Sequence, residues 1–239
     1  YNTEIMKAML DFIFDYSESG RWKKPFAAHD VGTYPLANGQ TYQGDMPVEE
    51  TGNMLIMTTA IAIADGNADY AAKHWEILTA WSNYLAEAGM DPENQLCTED
   101  FAGHLAHNAN LSAKAIMAIA GYGRLAEMLN KPEEAKKFTE MAKRMAIEWE
   151  RRADDGDHYR LAFDMPGTWS QKYNFVWDKV LGLNILPDRI MKKEVTFYLK
   201  TQNKYGLPLD NRFTWGKTDD TVWSATMADS EGDFQELIR

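Results

Sequence analysis

Residues 99–108 read EDFAGHLAHN. Two of the chain's five histidines, His104 and His107, stand three apart behind two carboxylates, Glu99 and Asp100, and the only cysteine, Cys97, lies just upstream. A zinc site would use ligands of these types, but no further His or Cys follows at a recognisable zinc spacing, so no metal is expected. A thiol nucleophile needs a base within hydrogen-bond reach, which adjacency in sequence does not supply, and a lone cysteine more often fills apolar space. Proton transfer is the third chemistry: Asp100 activates water and His104 or His107 shuttles a proton. The local alternative is that Asn108 or Asn110 caps the following helix while the histidines bond loop backbone.

Other stretches carry similar groups. AHDVGTYP supplies His29, Asp30 and Tyr34, and MPVEETGNM supplies Glu49 and Glu50. Paired carboxylates serve hydrolysis when their environments separate their pKa values, so Asp30 and Glu50 join Asp100 as candidate catalytic acids or bases. Glu49 and Glu50 also suit the first turn of a helix that starts at Pro47, with no chemistry required. DDGDHY, residues 154–159, resembles a calcium loop but has Met165 where the closing acidic ligand belongs. In GLPLDNRFTWGKTDD, residues 206–220, Arg212 and Lys217 suit a substrate carboxylate, Trp215 offers an aromatic surface, and Asp219 or Asp220 suits a cap. Candidate substrate-binding residues are thus His29, Tyr34, Glu49, Asn108, Trp169, Arg212, Trp215, Lys217 and Asp220.

The elements that position these groups are helices, because apolar residues recur at three and four spacing with few alternating β-branched runs. Helices are expected near 3–16, 47–64, 68–88, 110–129, 132–153, 171–183, 187–202 and 219–228, with a short one from Ser230. Their connections alternate. Residues 65–67, 130–131 and 184–186 are short turns, whereas 17–46, 89–109, 154–170 and 203–218 are long and hold every histidine but His74. In an up-and-down array alternate connections share an end, so the long loops are expected on one face. MLIMTTAIAIA, LSAKAIMAIAGYG and YNFVWDKVLGL are apolar nearly all round and read as inner helices; EEAKKFTEMAKRMAIEWERR is amphipathic and reads as outer. Stacked hairpins of this kind predict an all-α fold, an α/α toroid, with a plain helical solenoid as the rival and no fixed-period repeat in support of it.

Composition bounds the function. The 239 residues are 45% hydrophobic, enough for one sizeable domain over 1–239. A net charge of -11 gives no attraction to nucleic acid, and the longest apolar run, residues 54–64, is too short to insert in a membrane.

The strings HDVGTYPLANGQ, MPVEETGNMLI, NQLCTEDFAGHLAHNANLSAKAIM, DGDHYRLAFDMPGTWSQKYNFVWDKVLGLN and KYGLPLDNRFTW resemble the helical domain of the glutaminase A family over almost the whole chain. The resemblance implies a six-hairpin, glycosidase-like α/α toroid, an extracytoplasmic protein, an attached N-terminal β-rich domain in intramolecular contact, and hydrolysis of L-glutamine to glutamate and ammonia without a cofactor. It carries over no catalytic residue. GQTYQGD, residues 39–45, is shorter than the family's usual insertion there, and about four hairpins are visible rather than six, so a piece of a larger multidomain protein is expected. Two alternatives of other classes stay open: a glycoside hydrolase or carbohydrate-binding toroid, whose sugar rings the loop-face Trp and Tyr would suit, and a non-catalytic scaffold.

Overall fold

The computed structural model describes residues 2–98 and 100–239, and of Asp100 the backbone alone. The helices are α1 (Thr3–Glu18), α2 (Pro47–Asp65), α3 (Asp69–Lys73), α4 (Trp75–Ala88), α5 (Ala109–Met128), α6 (Pro132–Ala153), α7 (Val176–Val180), α8 (Asp188–Thr201), α9 (Thr218–Thr226) and α10 (Glu231–Leu237). Among the described residues there is no strand, only isolated bridges between loops. The expected all-α stack of hairpins is observed.

Burial separates inner from outer helices. α5 is buried on every side from Ala109 to Gly123, wedged between α2, α4 and α6. α6 buries only Phe138, Ala142, Met145, Ala146, Trp149 and Ala153, a single stripe at three and four spacing. Its ends are favourable too: Pro132, Glu133 and Glu134 open it and Arg151 and Arg152 close it, matching the helix dipole. Trp149 joins the two layers, its Nε1 donating to Ala109 O at 2.7 Å. In α2, Thr58 and Thr59 return their hydroxyls to Met54 O and Leu55 O, which lets polar residues sit in an apolar wall.

Two expected helices differ from the observed ones. Residues 68–88 divide into α3 and α4 at His74, whose backbone sits at φ -111°, ψ 21°. Tertiary contacts hold the break: the ring stacks on Phe14 at 3.9 Å and Nδ1 lies 2.9 Å from Glu18, both on α1. Residues 171–183 hold only a 3-10 turn, Tyr173–Phe175, followed by the short α7. The backbone of the preceding residues is already engaged, Gln171 N with Leu209 O at 2.7 Å and Lys172 N with the Tyr198 hydroxyl at 2.6 Å. After α7 the Asp178 carboxyl, pushed up by burial, accepts from Ile185 N and Leu186 N and fixes the turn into α8.

The long loops are tied to one another. Asn108 pairs with Ala162, and Ser170 pairs with Asp210. Arg212 donates to Ala102 O at 3.2 Å and Lys217 to Thr98 O at 2.8 Å, while Gln95 Oε1 accepts from Val48 N at the start of α2. The N-terminal ends of α2, α5 and α9 are therefore held against one laced surface. No helix among the described residues is long and apolar enough to cross a membrane.

Candidate functional site

The site grows from the meeting of α2 and α5. Lys114, the one charge within LSAKAIMAIAGYG, is buried, and its Nζ lies 2.5 Å from Glu49 Oε1, 2.8 Å from Asn53 Oδ1 and 3.3 Å from Thr98 Oγ1. Thr98 also donates to Glu49 Oε1. Gly52 makes the crossing possible, because a Cβ there would sit 2.7 Å from Lys114 Cγ. Glu49 Oε1 thus takes two donors, whereas its buried Oε2 has no hydrogen-bond partner among the described residues.

Glu50 faces a different environment. It is half-buried, and Asn53 Nδ2 donates to its Oε2 at 3.1 Å. Burial pushes its carboxyl pKa up, the neighbouring Glu49 charge adds to that, and Asn53, Lys114 and His29 oppose it. Paired carboxylates on one helical turn thus diverge, Glu49 locked in an ion pair and Glu50 biased toward holding a proton.

Two further walls adjoin this floor. On one, His29 Nδ1 lies 3.4 Å from Asp30 Oδ2 and its ring meets Tyr42 edge-on. Asp30 itself accepts from the backbone N–H of Gly32, Thr41 and Tyr42, which shapes the loop. On the other wall Lys217, held on Thr98 O, lies 5.0 Å from the centre of the Phe101 ring. Phe101 meets Trp215 edge-on, and Phe213 packs beside Trp215 at 4.5 Å; all three rings stay exposed.

Other residues predicted from sequence have settled places. Asn108 caps α5, its Oδ1 accepting from Asn110 N and Leu111 N. His107 adopts φ 60°, and its Nδ1 lies 2.7 Å from Asp91, which Arg152 also engages at 2.6 Å. The Asp91 bond raises the His107 pKa; burial pushes Asp91 up, but the Arg152 and His107 bonds outweigh it and hold Asp91 low. His104 and Tyr34 are exposed. Trp169 is half-buried, edge-on to Phe197 of α8. Arg212 forks onto Asp210, and Asp220 is fully buried in the first turn of α9. Glu99 and the side chain of Asp100 lie outside the described residues. No group of three or more His, Cys, Asp or Glu that could hold a metal occurs among the described residues.

Sequence reasoning missed Lys114, Asn53 and Thr98. The signal for Lys114 was present, a single charge in a helix otherwise apolar all round, which must find a partner or be expelled. A second buried lysine, Lys172, donates to Tyr159 O and Ser170 O and lies 3.7 Å from Glu194; burial lowers its pKa against the pull of Glu194 and Asp210. Those partners are mostly backbone carbonyls, so this cluster ties the third long loop to α8.

Stacked helical hairpins with titratable side chains at the N-terminal ends of the inner helices define the class of helical-hairpin domains. The chain belongs to the glutaminase A six helical-hairpin domain family, whose model matches residues 1–239. It is 36% identical over 234 residues to "Glutaminase A" of Aspergillus oryzae, covering 95% of this chain and 34% of that protein. It is 25% identical over 306 residues to a protein of Arthroderma benhamiae described as "Probable glutaminase", covering 91% of this chain and 36% of that protein. The chain spans about a third of the length of these relatives.

Proposed function

We propose that this chain carries the catalytic residues of a glutaminase that hydrolyses L-glutamine to glutamate and ammonia. The observation that carries the proposal is Glu50, a half-buried carboxyl whose affinity for protons is raised, at the N-terminal end of an inner helix beside a fixed amide donor. Such a group is suited to general base catalysis. Glu50 takes a proton from water as the water oxygen attacks the side-chain carboxamide carbon. It then returns the proton to the amide nitrogen as the C–N bond breaks and ammonia departs.

The remaining assignments follow from charge and reach. Lys217 keeps one N–H on Thr98 O and, beside the aromatic wall, meets the substrate α-carboxylate; Arg212, forked onto Asp210, supports that loop. His29 lies on the Glu50 side, and Asp100 is the second candidate base. In the whole protein this domain contacts an N-terminal β-rich domain, in an extracytoplasmic location.

Ammonia release from glutamine by the full-length protein, beside Glu50→Gln and Asp100→Asn, is the test. Loss of roughly 100-fold or more in kcat for Glu50→Gln supports the assignment, in line with the usual worth of a general base. Full activity in both variants overturns the site. The exposed rings of Phe101, Phe213 and Trp215 favour a second reading, a site for sugar rings. Cleavage of an aryl glycoside with glutamine untouched would establish it in place of the first.

A further inference from the structure

Lys114 has no hydrogen to offer a substrate. An ammonium carries three donors, and Glu49, Asn53 and Thr98 supply three acceptors. What it does instead follows from its being a donor only. The carboxamide of Asn53 has one accepting and one donating end, and the ammonium selects the oxygen. The NH2 end is thereby turned to Glu50 Oε2. A reversed amide would set NH2 against the ammonium and a carbonyl oxygen against the Glu50 carboxylate, two repulsive contacts exchanged for two attractive ones.

We propose that Lys114 and Asn53 form a positioning pair for Glu50, the buried ammonium orienting the Asn53 amide so that its nitrogen holds the Glu50 carboxylate in place. The inference rests on the proposal that Glu50 is the base. Among the described residues, the charged and titratable groups that face Glu50 are Glu49 on its own helix, Lys114 on α5 and His29 on the first long loop. A donor fixed on the ionised carboxylate favours that form, so its loss moves Glu50 further toward the neutral acid. Glu49 acts at one remove, holding the ammonium that holds the amide.

The pair is tested in the full-length protein by two readouts. The first needs no substrate: the pH midpoint at which a carbodiimide labels Glu50, read by peptide mass spectrometry, follows protonation of that carboxyl. Asn53→Leu removes the donor and leaves the Lys114–Glu49 pair intact, and Asn53→Ala serves if the leucine variant does not fold. The midpoint is expected to rise by roughly half to one pH unit. In the double variant Lys114→Met with Glu49→Leu the amide is free to turn, so adding Asn53→Leu there is expected to raise the midpoint by less than it does alone. An unmoved midpoint in the Asn53 variants overturns the inference, and an equal rise with and without the Lys114–Glu49 pair overturns the part of Lys114.

The second readout is kcat/KM for glutamine against pH. The acid limb is expected to move up with the labelling midpoint while KM at high pH stays within about threefold. A uniform loss at every pH would mark a merely structural role and overturn the inference. If Glu50→Gln keeps full activity, the catalytic assignment of Glu50 fails, while the labelling midpoint still decides whether the pair holds this carboxylate.

Discussion

Lys114 Nζ and Glu49 Oε1 meet at 2.5 Å with both side chains sealed from solvent, 5% and 2% exposed. A buried pair of this kind returns little net stability over an apolar substitute, because each ion gave up its hydration to be there. Removing one partner is different, since the other charge is stranded. Lys114→Met and Glu49→Leu are each expected to cost about 3 to 5 kcal/mol, and the double variant markedly less than their sum. Chemical denaturation of the four proteins gives the coupling; additive losses would contradict it.

Gly52→Ala tests the same crossing by volume. Alanine is worth roughly 0.5 to 1 kcal/mol over glycine inside a helix. Here the new Cβ would stand 2.7 Å from Lys114 Cγ, a stem atom without room to retreat. Overpacking costs about 1 to 3 kcal/mol and outweighs the gain, so the variant is expected to be less stable and to lose activity with it. Urea denaturation beside a glutaminase assay reads both.

The pH dependence of stability carries a signature of Glu50. Its folded pKa lies above the usual 4.5, so the folded protein binds the proton more tightly than the unfolded chain does. Between the usual value and the raised one the unfolded chain carries fewer protons, and stability falls as pH rises through that window. Glu50→Gln is expected to melt at a higher temperature than the wild type near pH 7 and alike near pH 4. Equal melting at both pH values would show that this carboxyl is not burdened by its surroundings.

Asn108 and His107 are expected to matter for the loop and little for chemistry. Asn108→Ala loses the α5 cap at about 1 kcal/mol with KM for glutamine unchanged. His107→Asn keeps the left-handed backbone at φ 60°, which Asn tolerates well, and is expected to keep kcat within about threefold. The stabilising contact of protonated His107 with Asp91 is present below the usual histidine pKa and lost as pH rises through the raised one. In the Asn variant that step in a stability-versus-pH curve disappears. A large loss of kcat would return His107 to the chemistry.

Much of this architecture is legible in the residue pattern. The stripe of α6 and the all-round apolar surface of α5 are read from spacing, because burial by a neighbour leaves a periodic trace. The Asn108 cap is legible for the same reason, being a local rule. What escapes the pattern is set by distant partners. His74 breaks a helix because Phe14 and Glu18 engage its ring, and Gln171 and Lys172, bonded through their backbone to Leu209 and Tyr198, belong to the laced loops instead of a helix. Lys114 orients an amide through side chains from two other segments, and no window along the chain contains all of them.

The hydrogen bond from Lys217 to Thr98 O spans 119 residues. Helical hairpins close over short stretches of chain and form early, whereas an ordering contact across such a span comes at an entropic cost that grows with the chain between. The Lys114–Glu49 contact in the core of α2 and α5 closes over 65 residues, a shorter stretch than the aromatic wall requires. A chain emerging during synthesis holds all of α2, α5 and α6 before Lys217 has been made, so the proposed binding wall waits for the segment that carries α9.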